Sequence, residues 1–426
     1  MAGYKYSRLR KMLLFGCLPG ITLLFSCSNS YAQRKGQPVL ISQCRVTEPT
    51  RLDWVFAVGN QSPAKVPPGL LENYDSTKQR FELYVPAGAD SQAAAPLILF
   101  VSPSQKGIGL SQFRKLCDRE GIVFASPHQA GNQTAGARRV RIVMDTLDEV
   151  RRRIKIDPDR TYIGGFSGGG RIAMTIATAL PEYFGGVIPV CAGGQLRTEP
   201  WLRERVISRL RIALLTGEND FNRGEIERMT QTLFSGIGVT SRVWTAKQIG
   251  HAIPPGSTLG EAFAWLESGL PDRKALARIF PASRISGAPS RSEWARQLFA
   301  EAEFRLKSEE LFYSGLMQLM GIRIRWNDLP ESDKALAILQ KLDAADDRPW
   351  EAEDVASQRR YLIAQARAVD AYAAGRLPKQ YQKQKASMLN AAIRLWSQVV
   401  ADGQDEDAVA EGTRRIPMLK SMLESE

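Results

Sequence analysis

Hydrophobic positions in the first two thirds of the chain form short apolar runs that alternate with amphipathic stretches. Continuous apolar runs are typical of strands buried on both faces of a parallel sheet. Such runs, or alternating stretches of similar length, lie at 80–86, 96–102, 121–126, 161–165, 186–190, 211–216 and 241–249, with a weaker signal at 51–58. Helical spacing lies between them, at 112–119, 140–156, 172–180, 225–237 and 259–266. This alternation predicts an α/β fold, a mostly parallel sheet with helices on both faces.

The pattern changes beyond residue 280. Residues 281–292 are rich in proline and serine, which is typical of a linker. The strand signal then ends, and only 5 of the 35 glycines lie in 290–426, which favours helix. Apolar residues there recur at helical spacing, as at Leu362, Ala366, Val369 and Ala373.

These changes predict an α/β domain over 33–280, the linker over 281–292 and an all-α domain over 293–426. The last should contain about five helices. It shows no strict repeat, so a plain bundle is favoured, and a divergent pair of tetratricopeptide-like repeats is the alternative.

The N-terminus has the pattern of an export signal, a basic stretch followed by an apolar run over 12–25. That run is short for a membrane span. Two forms of processing remain open. The tripeptide at 30–32 resembles a cleavage site that would remove residues 1–32. The tetrapeptide at 24–27 resembles a bacterial lipobox, which would attach a lipid to Cys27 and the protein to a membrane. We expect an exported protein: periplasmic, secreted or lipid-anchored.

Composition and charge exclude several classes. The chain is 44% hydrophobic and 24% charged, which is ordinary for a globular protein. The net charge is +12, but four of the positive charges lie in residues 1–32, the predicted export signal. No zinc-finger spacing, RNA-binding motif or dense basic patch occurs, so we expect no nucleic-acid partner. The five cysteines lack regular spacing, which excludes a disulfide scaffold but leaves one bridge open. Cys191 ends an apolar run and is expected to be a buried small residue.

A serine in a glycine-rich turn carries the candidate chemistry. An apolar strand leads into Gly-Phe-Ser-Gly-Gly at 165–169, and a helical stretch follows. Strand, sharp turn and helix form the context that a nucleophile elbow requires. A Cβ at Gly165 or Gly169 would collide with the neighbouring strand or helix. We predict that Ser167 is the nucleophile and that the Gly168 N–H is directed at a developing oxyanion.

This nucleophile needs a base and an acid. Only one of the two histidines, His251, follows Ser167 in the chain. It comes after the last predicted strand, at the sheet edge where ligands bind in open α/β sheets. The acid should follow the preceding strand, so we assign Asp220, with Glu218 as the alternative. The other histidine, His128, lies in a loop and is a candidate for the substrate cleft.

The second oxyanion donor is expected in the loop after the strand at 96–102. The chain there contains Ser102-Pro103-Ser104. Proline has no N–H, so the backbone amide of Ser104 is the candidate.

With these residues in place, the region from about 79 to 268 resembles an α/β-hydrolase. It is similar to secreted esterases, poly(3-hydroxybutyrate) depolymerases, and feruloyl and acetylxylan esterases. The matching segments are 84–86, 157–160, 165–169, 217–220 and 250–251. The resemblance implies ester hydrolysis by Ser167, Asp220 and His251, without a metal or organic cofactor. One departure stands out, because such enzymes usually carry His-Gly where this chain has Ser102-Pro103.

The favoured function is an exported serine hydrolase that cleaves a small or polymeric carboxylic ester through an acyl-enzyme. Residues 165–170 also fit the longer Gly-x-Ser-x-Gly-Gly pattern of prolyl-oligopeptidase-type peptidases, although no N-terminal propeller is evident. A third alternative is a hydrolase fold with an impaired oxyanion loop, whose helical domain binds a protein partner. Because the linker begins soon after His251, we expect the helical domain to lie near the active-site face.

Overall fold

The apolar runs pair into one eight-stranded sheet. The computed structural model describes residues 37–58, 65–89, 93–194, 196–197, 199–287, 289–375, 377 and 379–425. The strands are β1 (Val39–Arg45), β2 (Arg80–Val85), β3 (Ala95–Val101), β4 (Val123–Pro127), β5 (Ile156–Phe166), β6 (Gly186–Val190), β7 (Arg211–Gly217) and β8 (Ser241–Ala246). Their order is β1-β2-β4-β3-β5-β6-β7-β8. The pairs β1–β2 and β2–β4 are antiparallel and all others are parallel, which confirms the predicted mostly parallel sheet.

Helices follow most strands and then continue alone to the end of the described chain. The first eight are α1 (Leu110–Glu120), α2 (Gly136–Arg153), α3 (Gly168–Ala179), α4 (Pro200–Arg209), α5 (Arg223–Arg228), α6 (Ser235–Ile237), α7 (Gly256–Glu267) and α8 (Leu270–Ile279). A π-helical segment, Met229–Phe234, joins α5 to α6. The remaining six are α9 (Arg291–Arg305), α10 (Phe312–Arg325), α11 (Pro330–Asp343), α12 (Glu351–Ala373), α13 (Lys385–Asp402) and α14 (Glu406–Glu424).

Side chains of the central strands alternate between the two faces of the sheet. In β3, Leu97 and Leu99 belong to one buried core, whereas Ile98 and Phe100 belong to another. Helices α2 and α3 contact strands on the first face, and α1 and α7 enclose the second core with Phe113. The double coverage explains why the strand sequence is apolar at every position.

The first strand lies at β1 rather than at 51–58. Only Cys44 of β1 is buried, because the strand pairs at the edge of the sheet, so its apolar signal is weak. Residues 51–58 instead contain a short 3₁₀ helix, Val55–Ala57, and bury Trp54 and Phe56 against the sheet core.

The segment at 157–160, one of the segments that match the hydrolase resemblance, is an irregular part of β5 where its register with β3 shifts. Asp157 Oδ1 accepts the Asp159 N–H at 2.9 Å, a local turn built into the strand. Asp159 is therefore directed inward and is fully buried, where it pairs with Arg209 at 3.1 Å and with Arg284. The irregularity thus anchors later parts of the chain to the sheet.

Beyond residue 290, the described residues form six α-helices and no strand, as the composition predicts. Helix α9 begins with a capping box between Ser290 and Glu293. Helix α10 packs on α4, and α12 packs on the π-helical segment, so one core extends from the sheet into α9–α12. A third core around Trp396 joins α12, α13 and α14.

Lys35–Glu426 forms one compact unit. Within it, Ile285 in the segment 281–292 is fully buried, and its N–H donates to Glu182 O at 2.9 Å. The leader, residues 1–32, with its two processing alternatives, lies outside the described residues. Among those that are described, no helix is both long and apolar enough to cross a membrane.

A buried ion cluster joins three distant parts of the chain. Arg325, at the end of α10, contacts Asp53 Oδ2 at 2.7 Å and Glu182 Oε1 at 2.6 Å. Trp326 Nε1 also donates to Asp53 Oδ2, at 2.8 Å. Burial alone would lower the pKa of Arg325, but Glu182 and Asp53 raise it above its ordinary value. The guanidinium therefore stays charged and holds the helical region against the sheet domain.

Replacing Arg325 by Ala should lower the free energy of unfolding by about 3–5 kcal/mol, because buried Asp53 loses its cation and buried Glu182 keeps only Arg205, at 3.5 Å. Urea denaturation followed by tryptophan fluorescence measures this change. The matched control is Arg359→Ala, which removes a partly exposed ion pair with Asp402 and should cost far less, because solvent screens such pairs. Equal losses in the two variants would contradict the role given to the buried cluster.

Candidate active site

The turn between β5 and α3 holds Ser167 in a strained conformation. Its φ is 53° and its ψ is −122°, in the left-handed φ region that residues with a Cβ rarely adopt. The Ser167 N–H donates to Val190 O of β6 at 2.8 Å, which fixes the turn at the carboxyl edge of the sheet. This is the strand–serine–helix arrangement that the sequence predicts.

Two glycines allow the turn because no side chain fits beside them. A Cβ on Gly165 would lie 2.5 Å from the carbonyl carbon and oxygen of Gly169. A Cβ on Gly169 would lie 2.0 Å from Val101 O of β3. Both contacts are too short for any side chain, so the predicted collisions are present in the structure.

Three side chains from separate loops form a continuous hydrogen-bonded chain. Ser167 Oγ lies 2.9 Å from His251 Nε2, and His251 Nδ1 lies 2.8 Å from Asp220 Oδ1. Because a carboxylate only accepts, the Nδ1 carries the hydrogen and Nε2 accepts from the serine hydroxyl. Glu218, the alternative acid, is directed elsewhere, since its Oε2 accepts the Gln248 N–H at 2.9 Å.

Asp220 is held as a carboxylate by several donors. Its side chain is fully buried, and it accepts from Thr216 Oγ1 at 2.8 Å and from the Asn222 N–H at 3.1 Å. Burial by itself would raise the pKa of Asp220, but the hydrogen bonds from His251, Asn222 and Thr216 lower it below its ordinary value. The group is therefore charged at neutral pH and orients the imidazole.

Two aromatic rings contact the imidazole of His251. Phe221 stacks on it, with ring centroids 4.2 Å apart and planes 25° apart, although Phe221 is 66% exposed. The ring centroid of Phe166 lies 5.0 Å from that of His251. Sequence reasoning missed Phe221, and the available signal was its place directly after the assigned acid.

Cys191 lies close to Asp220, and its thiol is unreactive. It is fully buried, its Sγ donates to Ala252 O at 3.3 Å, and burial raises its pKa to about 12. Atoms of Cys191, Asp220 and His251 lie within 4.8 Å of one another, close enough for one metal ion. However, Asp220 and His251 use these atoms for their mutual hydrogen bond. Among the described residues, Cys117 and Cys191 are free thiols, and both are buried.

The two predicted oxyanion donors differ in their surroundings. Gly168 begins α3, so its N–H has no partner within the helix and lies at the positive end of the helix dipole. The Ser104 N–H instead donates to Ser102 Oγ at 3.0 Å, and the two serine hydroxyls are 2.8 Å apart. The amide of Ser104 is therefore occupied within its own loop.

His128, the candidate for the substrate cleft, has a structural role instead. Its Nδ1 accepts the Gly107 N–H at 2.9 Å, and its Nε2 donates to Ser42 O at 2.8 Å. Both ring nitrogens are used by main-chain groups and the residue is buried, so it joins the loop after β3 to β1.

Two open grooves border the loops after β3 and β4. One of about 580 Å³ is lined by Lys106, Arg114 and Ile253, the last of which is close to His251 in the chain. Another of about 680 Å³ is lined by Gln105 and Gln129, among others. Neither groove is lined by Ser167, Asp220 or His251.

Replacing Asp220 by Asn should lower the free energy of unfolding near pH 7. Because the folded-state pKa is depressed, the carboxylate stabilises the fold fully above the unfolded-state value of about 3.9. This contribution is lost as the pH falls through the folded-state pKa. Urea denaturation should therefore show a difference between wild type and variant that shrinks as the pH falls below about 3.9. Asp272→Asn, at an exposed carboxylate, is the control. A difference that persists unchanged in acid would contradict this account.

Comparisons with known proteins find a short similarity in sequence and distant similarities in structure. No protein-family model matches the chain. A putative esterase, NocK, from Nocardia uniformis subsp. tsuyamanensis is 41% identical over 54 residues, which is 13% of this chain and 15% of that protein's length. The S-formylglutathione hydrolase FrmB of Staphylococcus aureus is 11% identical, covers 44% of this chain and 92% of its own, and has a TM-score of 0.35. A ferulic acid esterase is 9% identical, with coverage of 56% and 99% and a TM-score of 0.38. By its own strand order and strand–serine–helix turn, the chain has the α/β-hydrolase fold.

Proposed function

We propose that this protein is a serine hydrolase that cleaves carboxylic esters through an acyl-enzyme. The proposal depends on one observation, the two hydrogen bonds that link Ser167 to His251 and His251 to Asp220. The segment that is 41% identical to a putative esterase supports an ester as the substrate. Geometry of this kind activates a serine hydroxyl that is otherwise a weak nucleophile.

In the first half of the reaction, Ser167 Oγ attacks the ester carbonyl carbon while its proton passes to His251 Nε2. Asp220 orients the imidazole and stabilises the imidazolium that forms. The Gly168 N–H donates to the oxyanion of the tetrahedral intermediate. The ester C–O bond then breaks, and the imidazolium returns the proton to the departing alcohol.

In the second half, a water molecule attacks the acyl group on Ser167. Its proton passes to His251 Nε2 and then to Ser167 Oγ as the bond between that oxygen and the acyl carbon breaks. The products are a carboxylic acid and the free serine, so one histidine moves protons in both halves.

We further propose that this chemistry takes place outside the cytoplasm. The support is the sequence of residues 1–32, a basic stretch, an apolar run and two alternative processing sites. Lipid attachment at Cys27 would confine the enzyme to a membrane surface, whereas cleavage after Ala32 would release it.

A fluorophosphonate probe tests the proposed nucleophile without any choice of substrate. Labelling of the purified protein, followed by peptide mass spectrometry, should place the probe on Ser167. Ser167→Ala should abolish labelling, and His251→Ala should reduce turnover of an activated ester by about 10⁴–10⁶-fold, because the serine loses its base.

The matched control is Ser111→Ala, at an exposed serine of α1, which should leave labelling intact. If Ser167 stays unlabelled in well-folded protein, the esterase proposal fails. A hydrolase-fold binding protein with an impaired oxyanion loop would then explain the chain better.

The stacked ring of Phe221 should contribute to the reaction. Phe221→Ala removes an aromatic contact worth about 0.5–1.5 kcal/mol, so kcat/KM should fall about 2- to 12-fold while stability changes little. Steady-state kinetics on an activated ester measure the fall. Phe304→Ala, at an exposed aromatic residue of α9, is the control and should retain wild-type kinetics. Full activity in Phe221→Ala would show that the stacking does not position His251.

A further inference from the structure

Of the two predicted oxyanion donors, one keeps an available backbone N–H in the described part of the chain. The Gly168 N–H begins α3, whereas Pro103 has no N–H and the Ser104 N–H already donates to Ser102 Oγ at 3.0 Å. Tetrahedral intermediates of acyl transfer are usually stabilised by more than one preorganised donor. A side chain near Gly168 could supply a second donor.

The side chain of Asn132 lies directly against Gly168. A Cβ on Gly168 would lie 2.0 Å from Asn132 Oδ1, 2.7 Å from Cγ and 2.9 Å from Nδ2. The amide group therefore occupies the space beside the first residue of α3, immediately after Ser167. Rotation of the amide by a half turn exchanges its oxygen and its NH₂ group at the same place.

This amide is available for a ligand. Asn132 is exposed, and within the described part of the chain its side chain makes no hydrogen bond. It is a neutral donor, so it can stabilise an oxyanion without changing the charge of the free site.

The backbone beneath Asn132 is held tightly against the loop after β3. The Asn132 N–H donates to Pro103 O at 2.8 Å. The two loops approach so closely that a Cβ on the preceding Gly131 would lie 2.6 Å from the carbonyl carbon of Ser104. The side chain thus extends from a fixed base, as preorganised stabilisation of an oxyanion requires.

We propose that the Asn132 side-chain amide is the second oxyanion donor of this site. The inference rests on the proposed esterase function. In the tetrahedral intermediate, Asn132 Nδ2–H and the Gly168 N–H donate to the same oxygen. The side chain replaces the occupied Ser104 amide, so a loop with Ser102-Pro103 is compatible with catalysis.

Steady-state hydrolysis of p-nitrophenyl acetate by the purified protein tests this role. Asn132→Ala should lower kcat by about 10²–10³-fold with little change in KM, because the interaction forms only with the oxyanion. Asn132→Asp should lose at least as much near neutral pH, since a carboxylate repels the oxyanion. The unfolding midpoint of either variant should match the wild type, because the side chain is exposed.

The matched control is Asn390→Ala, which removes an exposed side chain of the same kind on α13 and should retain wild-type kcat. A wild-type kcat in Asn132→Ala, or a raised KM alone, would overturn the inference while Ser167 labelling leaves the proposed function intact. An unreactive Ser167 in the folded wild type would overturn both.

Discussion

The close approach of α3 to the ends of β3 and β5 is the constraint on which the site depends. Gly169 faces the Val101 carbonyl with no room for a side chain, and Gly165 faces Gly169 in the same way. The chain must therefore reverse within one residue, which places Ser167 at a φ of 53° with its hydroxyl towards His251. Because the carboxyl ends of parallel strands lie at one edge of the sheet, the loops after β5, β7 and β8 meet at that edge.

Buried charge has a comparable role elsewhere in the molecule. Arg325 lies between two carboxylates from separate parts of the chain, and Asp159 in the irregular part of β5 pairs with Arg209 and Arg284. Such pairs add little net stability over apolar packing, but they penalise any arrangement that leaves one partner alone. Together with the apolar core shared by the sheet and α9–α12, they make the helical region a continuous part of this unit.

Sequence reasoning succeeded where periodicity or chain order carries the information. The strand–helix alternation predicts the sheet, and the order of Ser167, Asp220 and His251 predicts three side chains that the structure brings into contact. It failed for β1, because an exposed edge strand lacks a buried face. It also could not find Asn132, because the contact with Gly168 depends on how closely two loops pack, and no spacing in the sequence records that distance.

Trapping of the acyl-enzyme tests the central claim most directly. The protein is mixed with p-nitrophenyl acetate, quenched in acid within the first turnover and mapped by peptide mass spectrometry. The account predicts an acetyl group on Ser167, formed together with a burst of p-nitrophenol and absent from Ser167→Ala. Turnover without an acetylated Ser167, or with the acetyl group on another residue, would contradict the nucleophile on which the whole account depends.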